Sequence, residues 1–181
     1  MATATNDKLN LSGVKTSTGE SLGELSHSSP LMVVFLRHQG CPFCRETLSK
    51  LEKRRQEIEA VGVKIVLVHM IPSDNEAEIF FARWRLHDVP RISDPEREVY
   101  KKFGLARGST WQVLGPSAML RGLKAVLSGN TFGKPQGDIY QLPGAFLVEN
   151  GRIVRGFRAT NSGEQANFDE LLGCDGDACR R

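Results

Sequence analysis

The tightest constraint on the fold of this chain is the segment VVFLRHQGCPFCRETLSKLEKRR, at residues 33–55. It begins within a continuous apolar run, residues 31–36, which has the length and composition of a strand that is buried on both faces. From Pro42 onward the apolar residues recur at helical spacing, with charged residues between them. Two cysteines, Cys41 and Cys44, therefore lie where a buried strand passes into a helix.

Strand and helix patterns alternate along the rest of the chain. Asn150-Gly151, between two apolar runs, is the strongest short signal for a β-hairpin. This alternation predicts an α/β layer fold. The predicted strands lie at residues 31–36, 63–68 and 145–148 and just after Asn150-Gly151, and the predicted helices at residues 42–61, 75–86, 96–103, 117–127 and 164–172.

The length and composition predict a single domain. A chain of 181 residues, 40% of them hydrophobic, can bury a substantial core without disulfides or metals. We expect a flexible polar tail at residues 1–10, the folded domain at residues 11–172, and a cysteine-containing tail at residues 173–181. A short hairpin is predicted at residues 14–25.

The composition also argues against several classes of function. The formal net charge is +3 and the basic residues are spread out, which does not indicate a nucleic-acid partner. No apolar run approaches the ~18 residues of a membrane helix, and the N-terminus lacks the layout of a secretory signal. No Gly-rich phosphate loop follows a strand, so no nucleotide cofactor is predicted. We therefore expect a cytoplasmic protein without a nucleic-acid or membrane partner, with its cysteines reduced at rest.

The position of the two cysteines favours redox chemistry. Proline is favoured at the first position of a helix, so Pro42 lines the site, makes Cys41 the N-cap and puts Cys44 one turn further on. The free amide groups and the dipole at a helix start stabilise a thiolate, so we expect the pKa of Cys41 to lie below its ordinary value of ~8.5. We predict that Cys41 is the exposed attacking thiol and that Cys44 is the more buried resolving thiol.

Basic residues flank the two cysteines. Arg37 and His38 precede Cys41, and Arg45 directly follows Cys44. All three are expected to add positive potential near the Cys41 sulfur. We predict His38 and Arg45 as residues that line the site.

Several stretches of the chain resemble known thiol proteins. The order strand, Cys-X-X-Cys, helix resembles the thioredoxin fold in general. A more specific likeness is to the peroxiredoxin-like antioxidant group, which is placed with the alkyl hydroperoxide reductase and thiol-specific antioxidant proteins. This likeness covers about residues 10–172. The stretches that carry it are LRHQGCPFCRETL, ISDPEREVYKKFGL and GDIYQLPGAFLVENGRIV.

The resemblance implies a fold and a reaction. The implied fold is thioredoxin-like, with a central mixed sheet flanked by helices and a peroxiredoxin-type N-terminal hairpin and insertions. The implied reaction is the reduction of a peroxide, in which Cys41 becomes a sulfenic acid and Cys44 condenses with it to form a disulfide. Thioredoxin, glutaredoxin or glutathione would then reduce the disulfide. No cofactor or metal is implied, and the protein would be a monomer or a homodimer.

Other family features match at single positions or depart from the pattern. Pro143 resembles the cis-proline that faces the thiol site, so we expect a cis Leu142–Pro143 bond packed against Cys41. Typical peroxiredoxins carry a threonine three residues before the reactive cysteine, where this chain has His38. The arginine that the family uses in catalysis is not assigned, and its candidates are Arg83, Arg121 and Arg158.

Two alternatives remain open. Disulfide exchange on protein partners would use the same thiols without a peroxidase step. A zinc-binding or redox-sensing interaction protein would use all four cysteines, although the second pair, Cys174 and Cys179, has a wider spacing than typical structural zinc sites. That pair either forms a second dithiol, which passes electrons to the Cys41/Cys44 disulfide, or has no role.

Overall fold

The apolar runs predicted as strands form the middle of one mixed sheet. The computed structural model describes residues 2–115 and 137–173. Its strands are β1 (Thr3–Lys8), β2 (Leu31–Phe35), β3 (Lys64–His69), β4 (Arg91–Ser93), β5 (Gly144–Glu149) and β6 (Arg152–Arg158). They pair in the order β1-β6-β5-β2-β3-β4. The pairs β2/β3 and β3/β4 are parallel, and the other neighbours are antiparallel.

Helices cover both faces of this sheet, as the predicted α/β fold class requires. In the described residues they are α1 (Leu22–Ser28), α2 (Pro42–Ala60), α3 (Asp74–Ala82), α4 (Glu98–Lys102), α5 (Thr110–Leu114) and α6 (Phe168–Leu172). Strand β2 lies at the centre and is buried along its whole length. Its side chains alternate between two apolar clusters, one on each face of the sheet.

The first cluster holds the cysteines. Met32 and Val34 of β2 pack in it with residues of α2, α3 and α6, and with Cys41 and Cys44. The second cluster, on the opposite face, combines β2 with residues of α1 and α4 and with Phe146 of β5. The start of α2 therefore lies on one defined face of the sheet.

The N-terminal region differs from its prediction. Residues 1–10, predicted as a flexible tail, contain β1, which pairs with β6 at the edge of the sheet. An edge strand has only one paired neighbour and tolerates polar residues, so the segment lacks the apolar alternation of a core strand. Residues 14–25 form the predicted hairpin only in part, because a single bridge, Lys15 to Ser21, is followed directly by α1.

The strongest local signal is confirmed. Asn150 and Gly151 have φ angles of 50° and 71°, as a type I′ turn between two strands requires. The helix predicted at residues 117–127 lies outside the described residues.

Candidate active site

The cysteines lie at the junction of β2 and α2. Cys41 is the N-cap of α2 and Pro42 is its first residue, as the sequence predicts. The Cys41 amide donates to the His38 carbonyl at 3.1 Å, and the Arg45 amide donates to the Cys41 carbonyl at 3.2 Å. These bonds fix the backbone on both sides of Cys41.

The Arg37 side chain contacts the Cys41 sulfur. Its side chain is buried, with 4% of the residue exposed. One terminal nitrogen of its guanidinium group lies 3.5 Å from the Cys41 Sγ. Nε donates to the Gln141 carbonyl at 2.9 Å, and the other terminal nitrogen donates to the Ile139 carbonyl. Among the described residues Arg37 forms no ion pair, so the guanidinium charge acts on the sulfur without a carboxylate that would balance it.

The pKa of Cys41 is lowered, as the sequence predicts. Burial has the largest single effect and raises this pKa, because it disfavours the thiolate. A hydrogen bond from the Cys44 thiol, the charge of Arg37 and the amide groups of Cys44 and Phe43 together outweigh burial and lower the pKa of Cys41 to about 6. These two amides belong to the first turn of α2, although Cys41 makes no side-chain capping hydrogen bond there.

Cys44 has the opposite character. Burial is the main cause that raises its pKa, and the hydrogen bond to Cys41 and the negative charge on Cys41 raise it further. The Arg37 amide donates to the Cys44 Sγ at 3.2 Å, and the two sulfurs are not joined by a disulfide. At neutral pH Cys41 is therefore the thiolate and Cys44 is the thiol.

The prediction that Cys41 is exposed is wrong. Cys41 is 1% exposed and Cys44 is 4% exposed, so both sulfurs lie within the first apolar cluster. The N-cap position is exposed in an isolated helix, but here the Arg37 side chain folds back onto it. The two thiols therefore differ in charge and not in burial.

His38 lines a small cavity beside the cysteines. The cavity is bordered by Cys44, His69 and Phe80, and its volume of about 10 Å³ is close to the minimum that holds one water molecule. The His38 Nδ1 is buried and has no hydrogen-bond partner among the described residues. Burial and then the charge of Arg37 lower the pKa of His38 to about 4, so the ring is neutral at pH 7 and adds no positive potential. The predicted electrostatic role of His38 is therefore corrected, and its role as a residue that lines the site stays a prediction.

Pro143 does not have the predicted geometry. The described residues contain no cis peptide bond, so the Leu142–Pro143 bond is trans. Trans is the state that an X–Pro bond prefers, and here the Leu142 amide and the Pro143 carbonyl are both hydrogen-bonded as the chain enters β5. Pro143 borders a separate pocket with Thr47 and Gln165, whose lining includes neither cysteine.

The other basic candidates have different contacts or lie outside the described residues. Arg45 is half-buried on α2, and its Nε donates to the Gln39 carbonyl at 3.3 Å. Arg83 is exposed at the end of α3. Arg158 donates to the Phe103 carbonyl at 2.9 Å in the second apolar cluster. Its guanidinium group lies 4.8 Å from the centre of the Phe146 ring. Arg121, Cys174 and Cys179 lie outside the described residues.

The described part of the chain contains neither a metal-binding cluster nor a helix that could cross a membrane. In residues 2–115 and 137–173 no group of three or more His, Cys, Asp or Glu side chains is arranged to hold a metal ion. The four-cysteine zinc alternative includes Cys174 and Cys179, which these residues do not contain. Within the same ranges no helix combines the length and the apolar character needed to cross a membrane.

Comparison with known proteins confirms the predicted family. The family model described as AhpC/TSA antioxidant enzyme matches residues 50–161, which begin after the two cysteines. Peroxiredoxin-like 2A of Xenopus tropicalis is 24% identical over 164 residues, which are 87% of this chain and 66% of that protein. Prostamide/prostaglandin F synthase of Salmo salar is 25% identical over 170 residues, 87% of this chain and 81% of that protein. The chain thus spans slightly less than two thirds of the first of these relatives.

Solved structures with the same architecture include a peroxidoxin and a thiol:disulfide interchange protein. Peroxidoxin BcpB from Mycobacterium tuberculosis has a TM-score of 0.62 and 20% identity, and the match covers 94% of each chain. A putative thiol:disulfide interchange protein DsbE from Chlorobium tepidum has a TM-score of 0.56 and 15% identity, with 93% of this chain and 96% of that chain covered. These likenesses confirm the predicted thioredoxin-like fold.

Proposed function

Because this chain belongs to the AhpC/TSA antioxidant enzyme family, we propose that it is a thiol oxidoreductase that reduces peroxides at Cys41. The observation that carries the proposal is the contact between the Arg37 guanidinium and the Cys41 Sγ, beside a protonated Cys44. A thiolate is the nucleophilic form of cysteine, and a neighbouring thiol can resolve its oxidised form. The family match begins after the cysteines, so the roles of these residues rest on the geometry of the site.

The proposed reaction has two steps at the cysteines. The Cys41 thiolate attacks one peroxide oxygen, the S–O bond forms as the O–O bond breaks, and the leaving oxygen takes up a proton to become water or an alcohol. Cys41 is then an uncharged sulfenic acid. The negative charge that helped to raise the pKa of Cys44 has disappeared, which favours the ionisation of Cys44. Cys44 attacks the sulfenic sulfur, a disulfide forms and water leaves.

A reductant completes the cycle. We propose thioredoxin, glutaredoxin or glutathione, which would attack the disulfide through a mixed disulfide and leave both cysteines reduced. This chemistry suits a reducing compartment such as the cytoplasm. Cys174 and Cys179 remain candidates for a second dithiol in this step.

The burial of the site bears on the identity of the oxidant. Cys41 is 1% exposed, so we expect a substrate to reach its sulfur only when the surrounding structure opens. A small peroxide needs a narrower opening than a disulfide on a folded protein. Burial of the reduced thiols therefore favours a peroxide over a protein disulfide as the oxidant, and disulfide exchange on protein partners is the second candidate function. Reduction by thioredoxin or glutaredoxin requires the oxidised site to open further than a peroxide does.

The test is the intact mass of the reduced protein after treatment with hydrogen peroxide. We expect the wild type to lose two hydrogens, Cys44→Ser to retain a sulfenic acid on Cys41, and Cys41→Ser to consume no peroxide. All three proteins should carry Cys174→Ser and Cys179→Ser, so that the tail cysteines cannot form the bond that is scored. Full peroxide consumption by Cys41→Ser would contradict the proposal. An inert wild type that still exchanges disulfides with a protein substrate would favour the second candidate.

A further inference from the structure

The Arg37 guanidinium is held by one turn of the chain, residues 138–141, which we call the Asp138 turn. The Gln141 amide donates to the Asp138 carbonyl at 3.2 Å, and the Tyr140 amide donates to the Asp138 carboxylate at 2.9 Å. The aspartate side chain thus closes the turn in the manner of an Asx turn. The carbonyls of Ile139 and Gln141, which accept from Arg37, belong to this turn.

The Asp138 carboxylate is clamped by two arginines. Arg97 donates to it at 2.6 Å and Arg107 at 2.7 Å, and the Asp138 side chain is only 16% exposed. Arg97 directly precedes α4, so the clamp ties the turn to a helix on the opposite face of the sheet from the cysteines. Charge-assisted hydrogen bonds of this kind are stronger than neutral ones. Two positive charges also balance the carboxylate, so it does not cancel the charge of Arg37.

The far end of the turn is fixed by a second set of bonds. The buried Gln141 side chain donates to the carbonyls of Ala106 and Leu142, both at 3.1 Å. The Gly108 amide donates to the Tyr140 carbonyl at 2.7 Å. The turn is therefore held at both ends, and the direction of its carbonyls is set.

We propose that Asp138 is a positioning residue for the thiol chemistry, because it closes and anchors the turn whose carbonyls aim the Arg37 guanidinium at the Cys41 sulfur. The inference rests on the proposed function for its catalytic meaning. The position of Arg37 beside Cys41 is seen in the reduced protein and does not depend on which reaction the protein catalyses. Loss of the Asp138 carboxylate would let the turn open, and Arg37 would then follow its carbonyl partners away from the sulfur.

The test measures the titration of Cys41 in Asp138→Ala and Asp138→Asn. The rate of alkylation by iodoacetamide is followed against pH, and peptide mass spectrometry scores Cys41 separately from the other cysteines. We expect the midpoint of the Cys41 curve to rise by about one pH unit in Asp138→Ala. The rise should be smaller in Asp138→Asn, which keeps an oxygen for the Tyr140 amide and is the variant to use if Asp138→Ala does not fold.

Two controls separate positioning from general destabilisation. Asp88→Asn removes an aspartate that pairs with Arg55 through two hydrogen bonds. Arg55 lies about 20 Å along α2 from Cys41, so this substitution should leave the midpoint of the Cys41 curve unchanged. In an Arg37→Met background, Asp138→Asn should cause no further rise. An unchanged midpoint in a folded Asp138 variant, or the same rise without Arg37, would overturn the inference. If the wild type reduces no peroxide, the proposed function fails while this titration still tests the role of Asp138.

Discussion

At the scale of single residues, the proposed chemistry depends on the contact between the Arg37 guanidinium and the Cys41 sulfur. The Arg37 guanidinium is buried, and its hydrogen-bond acceptors in the described part of the chain are two neutral carbonyls and the Cys41 sulfur. Carbonyls satisfy N–H donors without a formal negative charge. The arginine is therefore held firmly while its charge remains effective at the thiol.

Arg37→Met should raise the pKa of Cys41. A positive charge within 4–6 Å favours the ionised form of an acid by about 1–3 pKa units, and methionine keeps much of the side-chain volume. Because the pKa of Cys41 starts at about 6, such a rise should slow the alkylation of Cys41 at pH 7 by about twofold to about ninetyfold, as measured by peptide mass spectrometry. Arg158→Met is the matched control, because Arg158 also donates to a backbone carbonyl at 2.9 Å but lies in the other apolar cluster. An equal effect from both substitutions would contradict the role of Arg37.

The candidate site is predictable from sequence only as far as its local rules extend. Cys41 at the N-cap and Pro42 at the first helical position follow from preferences that act within one turn of helix. The orientation of Arg37 depends on carbonyls at residues 139 and 141, more than a hundred positions away in the chain. No local pattern encodes that contact. The sequence therefore gives Arg83, Arg121 and Arg158, and not Arg37, as candidates for the arginine at the site. For the same reason it predicts an exposed Cys41.

At the scale of elements, the start of α4 is the clearest departure from a local rule. Ser93-Asp94-Pro95 predicts a helix from residue 96, yet α4 begins at Glu98. The buried Asp94 carboxylate instead reaches forward and accepts from the amides of Glu98, Val99 and Tyr100, at 2.9, 2.7 and 3.1 Å. A single side chain thus satisfies three amide groups that the helix itself leaves free.

Asp94→Ala should lower the free energy of unfolding by about 1–3 kcal/mol, because three N–H groups lose their acceptor in a buried place. Urea unfolding at neutral pH measures the change. Asp74→Ala is the comparison, since Asp74 also lies in the first turn of a helix but is exposed. Its effect should stay within about 0.5 kcal/mol. If both substitutions lower the free energy of unfolding by the same amount, the three hydrogen bonds to Asp94 do not stabilise the protein.

The elements also divide into those that the sequence specifies locally and those that it does not. The β5–β6 hairpin is set by Asn150-Gly151, and β2 and β3 by apolar runs. Strand β1 is polar and acquires its structure from pairing with β6, a partner at the other end of the chain. Strand β4 has three residues, which is too short for an alternating pattern to be read.

At the scale of the whole molecule, burial of ionisable groups makes stability depend on pH. Burial first, and then the charges of Arg37 and Arg91, lower the pKa values of His38 and His69 to about 4. Unfolding exposes both rings, and each then binds a proton near its ordinary pKa of 6.5. The contribution of these histidines is present above pH 6.5 and is lost as the pH falls toward 4.

Cys41 acts in a separate window, from about pH 6 to about pH 9. Its pKa is lowered to about 6 in the folded protein, against about 8.5 to 9 for an ordinary cysteine. Within this window the unfolded chain binds more protons at Cys41, so stability rises with pH, by at most about 1.4 kcal/mol per pH unit. Urea unfolding under reducing conditions should show this rise in the wild type.

In Cys41→Ser the rise should be absent, because serine does not titrate there. Cys44→Ala is the informative companion, since it keeps the contact of Arg37 with the Cys41 sulfur but removes the thiol that donates to the thiolate. Its rise should begin at a higher pH than in the wild type and be smaller in total, because the pKa of Cys41 is then lowered less. A Cys41→Ser protein whose stability rises across this window as steeply as that of the wild type would show that Cys41 is not the ionised thiol.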